Sequence, residues 1–284
     1  MRPKNLTATV RQRRLGAELR RLRQQAELTT AQAGVLDGSS QPRISSIESG
    51  RYAVGADRVR ALARSYSCTD EAYIDALTEM TGGRTRGWWE EYRGMLPPDT
   101  IDLAELEHHA VSMRASSVIH IPGLLQTRAH AHAVIGDVVP PFAPHEVEHR
   151  VSYRIKRQVV LYGENPTPLS VVIHEAALRM GFGGPEVTRA QLKHLLDVGE
   201  LDHVTIKVVP FGAGTFPSSG ASIHYMAGAV PALDTIQLDT DHGAAFLDAQ
   251  PQLVKYRTVL DRMEACSLEP AKSRDLIRRV ATDL

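Results

Sequence analysis

Between Arg13 and Thr81 apolar residues return every three or four positions, and the breaks between runs fall on turn-forming residues. Leu15, Leu19, Leu22 and Ala26 lie on one stripe and predict an amphipathic helix over 13–26, with arginines on its other faces. Thr29 and Thr30 open a short helix over 31–36, and Gly38 supplies the permissive backbone of a tight turn. A second helix begins after Ser40, a residue suited to capping, with Gln41, Pro42 and Arg43 in the first turn. Proline is tolerated there because those N–H groups have no intrahelical partner. Ile44 and Ile47 share an inward face, which leaves Gln41, Arg43, Ser45 and Ser46 pointing out, and Gly50 follows as the residue just past the helix end. Asp57 opens a further helix with Val59, Leu62, Ala63 and Tyr66 inside, and Thr69 is placed to cap another carrying Tyr73, Ile74, Leu77 and Met80.

The pattern changes at Gly82-Gly83, so residues 82–87 read as a linker between a bundle over 13–81 and a second domain over 88–284, with 1–12 a basic arm holding Arg2, Lys4 and Arg11. Trp88 and Trp89 follow at once and are expected to pin the second domain's first helix by burying large apolar area. Beyond them, helical periodicity covers 103–115 (Leu103, Leu106, Ala110, Met113), 126–135, 144–161, 185–198, 251–265 and 270–284, several opened by proline. β-rich runs cover 117–121, 169–174, 204–209, 222–226, 234–238 and 244–248, the last three close enough for an antiparallel meander. The expected fold is multidomain: an all-α helix-turn-helix bundle, then an α+β domain with a mixed, partly antiparallel sheet.

A chain of 284 residues with 43% apolar content carries two cores comfortably. The absence of any long apolar run predicts neither a membrane span nor a signal peptide, hence a cytoplasmic protein. Cys68 and Cys266 have no CxxC spacing and read as plain thiols. Net charge is zero, yet residues 1–64 hold 13 Lys and Arg against 5 Asp and Glu, while the remainder holds 20 against 28. A basic end joined to an acidic remainder is what phosphate binding at one end predicts, because Lys and Arg displace the counterions condensed on DNA.

The run from Leu28 to Arg51, LTTAQAGVLDGSSQPRISSIESGR, resembles the helix-turn-helix of the Xre/Cro-repressor-like families, in the form used by a large group of actinobacterial regulators. Three positions depart from that pattern: Asp37 stands where an apolar residue is usual, Ser39 where Val or Ile is usual, and Gly34 replaces Ala, which should weaken the first helix by about 1 kcal/mol. The second half is also similar to these regulators, through GWWEEYRG (87–94), IPGLLQT (121–127), VIHEAALRM (172–180), VVPFGAG (208–214) and LDT (238–240). The resemblance implies an uncharacterised C-terminal domain, a class often described as antitoxin-like, and a small protein encoded nearby as partner. The chain is expected to be a non-enzymatic regulator that binds double-stranded DNA and needs no cofactor, and because one bundle covers only about half of a site, a homodimer is expected.

Base edges are assigned to Gln41, Arg43 and Ser46, and phosphates to Arg13, Arg14, Thr30 and Arg51. A ligand or partner pocket is assigned to Trp88, Trp89, His174 and Phe211, with the glycine-rich stretches 181–184 and 211–216 as loops over its mouth. His145-Glu146-Val147-Glu148-His149 satisfies HExxH, but it falls at a charged helix start after prolines, whereas a catalytic zinc helix needs an apolar flank and a third ligand, so no metal is expected. His108, His109, His130 and His132 read as polar surface. The alternative of a DNA-tethered enzyme would use His174, Glu175, Asp239, Asp241, His242 and Asp248 as an acid–base cluster.

Overall fold

A computed structural model describes residues 8–81, 87–218, 220–240 and 243–284. Asp241, His242 and most of the expected linker lie outside them, as does most of the basic arm. The chain divides into two compact units, residues 1–90 with 228–233, and residues 91–227 with 234–284.

The first unit is a bundle of α1 (Val10–Gln25), α2 (Thr30–Leu36), α3 (Gln41–Glu48), α4 (Ala56–Ser65) and α5 (Glu71–Glu79). Helix α1 begins earlier than its apolar stripe because Thr9 and Gln12 form a capping box, each side chain bonded to the other's backbone N–H. Residues 10–12 are therefore helix and not arm. At α5 the cap is Asp70, one residue after the expected Thr69, and it accepts the Tyr73 N–H at 3.0 Å. Leu15, Leu19, Leu22, Ile44, Ile47, Val59, Leu62, Ile74 and Leu77 make one core. Trp88 and Trp89 belong to this unit as well, in a 3₁₀ turn with their rings edge-on at 6.0 Å and Trp89 buried. The boundary thus falls after Glu90 and not at 82–87.

The second unit runs α6 (Pro98–His108), β1 (Ser112–Ser117), α7 (Arg128–Gly136), α8 (Pro144–Arg157), β2 (Leu169–His174), α9 (Glu175–Arg179), α10 (Pro185–Val198), β3 (Val204–Val209), β4 (Ile223–Ala227), β5 (Thr235–Thr240), β6 (Gly243–Leu247), α11 (Gln250–Cys266) and α12 (Pro270–Thr282). Its six strands form one mixed sheet in the order β3-β2-β1-β4-β5-β6. β1, β2 and β3 are parallel, and β4, β5 and β6 form the antiparallel meander. The helix expected over 103–115 stops at His108, and Met113 lies instead in β1, opposite Leu169 and Met226. Leu106, Ala110 and Met113 keep helical spacing by coincidence, and the serines of SMRASS have little strand propensity, so pairing on both sides decides the outcome. One face of the sheet packs Met113, Val171, Ile173 and Val208 with Leu192, Leu195 and Ile277. The other packs Val172, Val209, Ile223, Tyr225 and Ile236 with Leu253, Leu260 and Met263 of α11.

His130, expected on the surface, is 2% exposed, and neither ring nitrogen meets a hydrogen-bond partner among the described residues. Burial disfavours its charged form and pushes its pKa down to about 4. The unfolded chain, titrating near 6.5, therefore takes up this proton first as the pH falls. Stability is lost through the window from 6.5 to about 4, by about 3 kcal/mol in all. His130→Phe should remove that share, so denaturation midpoints measured across the window should fall less steeply in the variant than in the parent. An unchanged slope would assign the acid sensitivity to other groups.

Candidate nucleic-acid interface

Helix α2 starts on a second capping box: Thr29 Oγ1 accepts the Gln32 N–H at 3.2 Å and Gln32 Oε1 accepts the Thr29 N–H at 2.9 Å. The turn to α3 passes through Gly38 at φ +63°. Gly34 is not a weak point there: a Cβ on it would lie 3.0 Å from Gln41 N and 3.1 Å from Ser39 O, so its missing side chain lets α2 meet the turn. The Ser39 N–H closes the same contact on Gly34 O at 2.8 Å. The other two departures answer each other. Asp37 Oδ2 accepts the Ser39 hydroxyl at 2.5 Å, and Asp37 Oδ1 takes the Arg58 Nε at 3.1 Å. Burial alone would raise the Asp37 pKa, but the bonds from Arg58 and Ser39 override it and hold the carboxyl below its ordinary range.

Helix α3 buries Ile44 and Ile47 and carries Pro42 in its first turn. Ser40 occupies the cap position as expected, but its side chain makes no capping bond. The far end is clamped to α1. Arg23 donates Nε to Glu48 Oε1 at 2.6 Å and Nη2 to Glu48 Oε2 at 2.9 Å, with both side chains under 10% exposed, and its Nη1 reaches Leu28 O at 2.6 Å. Gly16 makes this approach possible, since a Cβ there would lie 2.5 Å from Glu48 O.

With that packing, Gln41, Arg13 and Arg51 are exposed, and Arg43, Ser46 and Thr30 are half-buried. Arg43 rests over the Tyr52 ring with its guanidinium carbon 3.8 Å from the centroid, and the Tyr52 N–H folds back onto Ser46 O at 3.1 Å. Tyr52 was missed in the sequence, where an aromatic two residues past the helix-ending glycine was its only sign. Arg14 must be corrected. It is 4% exposed, its Nη2 lies 3.1 Å from Glu18 and donates to Ala232 O at 2.6 Å, so it belongs to the interior of this unit and not to the phosphate set. Val10, Arg14 and Glu18 form a second stripe beside the leucines, and Glu18 accepts the Tyr73 hydroxyl at 2.5 Å.

The residues assigned to a ligand pocket fall into separate groups. Trp88 and Trp89 lie in the first unit. His174 caps α9 by accepting the Ala176 N–H on Nδ1 at 3.1 Å, and Phe211 and Phe216 meet its ring edge-on at 5.2 and 5.5 Å. Glu175 accepts the Phe211 N–H and the Arg179 Nε, which holds its pKa down against burial. Among the described residues His174 and Asp239 hold different partners, the Ala176 N–H and Gln237 Nε2, and Asp241 and His242 of the alternative cluster lie outside them. In HExxH, Glu146 accepts the Ala143 N–H at 2.9 Å, the role of a carboxylate at a helix start, and the two imidazoles sit edge-on at 6.0 Å. Among the described residues no group of three or more His, Cys, Asp or Glu is poised to hold a metal.

Residues 14–77 match a helix-turn-helix domain, so the clamped α2–α3 pair belongs to a class of DNA-binding domain. Residues 100–279 match a domain of unknown function (DUF5753), and since this match spans more than half of the chain, the protein belongs to the DUF5753 family. No curated protein and no solved structure matches the chain.

The clamp can be measured directly. Arg23→Ala leaves the Glu48 carboxylate buried without its partner and should cost about 3 to 5 kcal/mol, whereas Arg23→Met with Glu48→Leu should recover most of that loss. Thermal melting of the two variants checks this, and equal losses in both would mean that the pair contributes only packing.

Proposed function

We propose that this protein is a cytoplasmic, sequence-specific transcriptional regulator of the Xre/Cro-like kind, in which α3 reads the major groove and the second unit receives a signal. The observation that carries this reading is the division of α3 into a buried side, Ile44 and Ile47, and an open side, Gln41, Arg43 and Ser46. An arginine and a glutamine projected from the start of a groove-sized helix suit bidentate bonds to guanine and adenine edges. Arg13, Thr30 and Arg51 flank them and supply phosphate contacts, which set register without reading sequence. Stacking on Tyr52 restricts Arg43 before DNA arrives, so less side-chain entropy is lost on binding.

One such bundle covers about half of a site. Affinity in the usual specific range of about 10⁻⁸ to 10⁻¹¹ M is reached by pairing two half-sites, so the regulator acts as a homodimer on a pseudo-palindrome. The second unit supplies the pairing surface and receives either a small ligand or a small partner protein, as in antitoxin-like regulators. Selection of bound sequences from a random DNA pool, at stated salt, tests specificity and half-site spacing together. Recovery of no preferred sequence would end this proposal.

Arg43→Ala should cost about 1 to 3 kcal/mol on the selected site and relax one base pair, and Arg13→Ala should weaken all DNA alike and flatten the salt slope by about 1. Tyr52→Leu should give a smaller loss confined to the base pair that Arg43 reads. Competition binding against single-base variants of the site distinguishes the three, and identical sequence-blind losses would remove Arg43 from the reading set.

A further inference from the structure

Along one register row of the sheet the side chains change character: Ile206, Val171 and Ala115 in the parallel half give way to His224 and Gln237 before Phe246 closes the edge. Over this polar half α6 and α8 bring further charged groups. Glu107, fully buried, accepts Arg157 Nε at 2.8 Å and Nη2 at 2.5 Å, and lies 3.5 Å from His224 Nδ1. That set is internally balanced. Arg154, one turn earlier on α8, is not: its hydrogen bond is Nη1 to the neutral Gln126 Oε1 at 2.9 Å, and no carboxylate stands within ion-pair reach of it among the described residues.

Gln126 is itself fixed, since its Nε2 donates to Ile121 O at 2.6 Å and its own carbonyl accepts Gln158 Nε2 at 2.6 Å. A rigid acceptor therefore anchors one corner of the guanidinium, leaving the rest of a planar fork of donors. Burial and the neighbouring Arg157 push the Arg154 pKa down to about 10, which still leaves it charged at neutral pH. The backbone nearby is low: even a Cβ on Gly123 would stand 3.7 Å from Arg154 Nε. His120, exposed, stacks on Phe182 at 5.1 Å and interacts electrostatically with both Arg154 and Asp239. His224 Nε2 is buried without a hydrogen-bond partner among the described residues.

We propose that Arg154, with His120 and Gln126 beside it, is a receptor site for the oxyanion of a small molecule, a carboxylate or a phosphate, in the second unit. A half-buried guanidinium with no carboxylate of its own gains most from an anion that takes two of its parallel donors. Asp239, exposed and held by Gln237 Nε2 at 2.6 Å, adds negative charge nearby, so the singly charged carboxylate is the expected ligand and phosphate the weaker one. The site deepens the reading of this unit as a signal receiver and rests on it for its purpose, while binding is measured without DNA.

The test follows the Arg154 side-chain Nε–H resonance in the ¹⁵N-labelled full chain, assigned by its loss in Arg154→Lys. Sodium acetate and inorganic phosphate are titrated in separate arms against sodium chloride at equal ionic strength. The expected result is a saturable shift with acetate or phosphate but not chloride, the responding arm naming the source, and binding, followed in parallel through the Gln126 side-chain amide beside the site, weakened at least about tenfold in Arg154→Gln. Gln126→Glu, which places a carboxylate on the guanidinium, should abolish the shift of Arg154 even if Arg154→Gln fails to fold. No saturable shift up to about 50 mM of either anion, or the same shift in chloride, would overturn the site. Saturable binding that leaves affinity for the selected DNA unchanged would keep the site and remove its role as receiver.

Discussion

The placement of α3 depends on the Arg23–Glu48 pair. Helix α3 is only eight residues long, and a helix of that length is marginal in water without tertiary support. Its two isoleucines bury one side, but two apolar contacts leave rotation about the helix axis loosely set. The bidentate bond, with the third donor of Arg23 on Leu28 O, adds a directional constraint at the end away from the turn. Gly16 and Gly50 let the backbones of α1 and α3 approach closely enough for that bond to form. The groups that face solvent are thus placed by groups that do not.

Much of this was legible in the sequence because local chemistry and packing agree there. The Leu15, Leu19, Leu22 stripe, the Gly38 turn, the inward Ile44 and Ile47 and the proline-opened helices of the second unit all stand where spacing placed them, within a few residues at their ends. The mixed sheet with its meander was also legible. The failures have a common cause. Arg14, His130 and Met113 have identities or spacings that suggest one environment, while partners distant in sequence supply another: Glu18 and Ala232 for Arg14, Phe182 for His130, Leu169 and Met226 for Met113. Tryptophan adjacency marked a junction correctly in kind but assigned it to the wrong unit.

Beside the antiparallel half of its sheet the second unit buries the Glu107–Arg157 pair next to His224. The parallel strands are apolar on the face covered by α10 and α12, as a sheet buried by helices requires. The antiparallel half carries histidine, glutamine and aspartate under α6 and α8 instead. Burying Glu107 and Arg157 is costly and, as a bidentate pair, contributes little net stability over apolar packing.

Asp37 and Ser39 lead to a different kind of consequence. Each departs from the residue usual in the regulators that this segment resembles, yet Ser39 donates to Asp37, and Asp37 in turn holds Arg58. Replacing Asp37 alone with an apolar side chain would strand a half-buried guanidinium, and replacing Ser39 alone would strip the carboxylate of a donor. The three positions therefore form an epistatic block: a lineage can cross between the polar and apolar solutions only through a less stable intermediate or by changing several codons together. Related sequences should accordingly show these sites varying in concert, with the polar trio kept or lost as a unit.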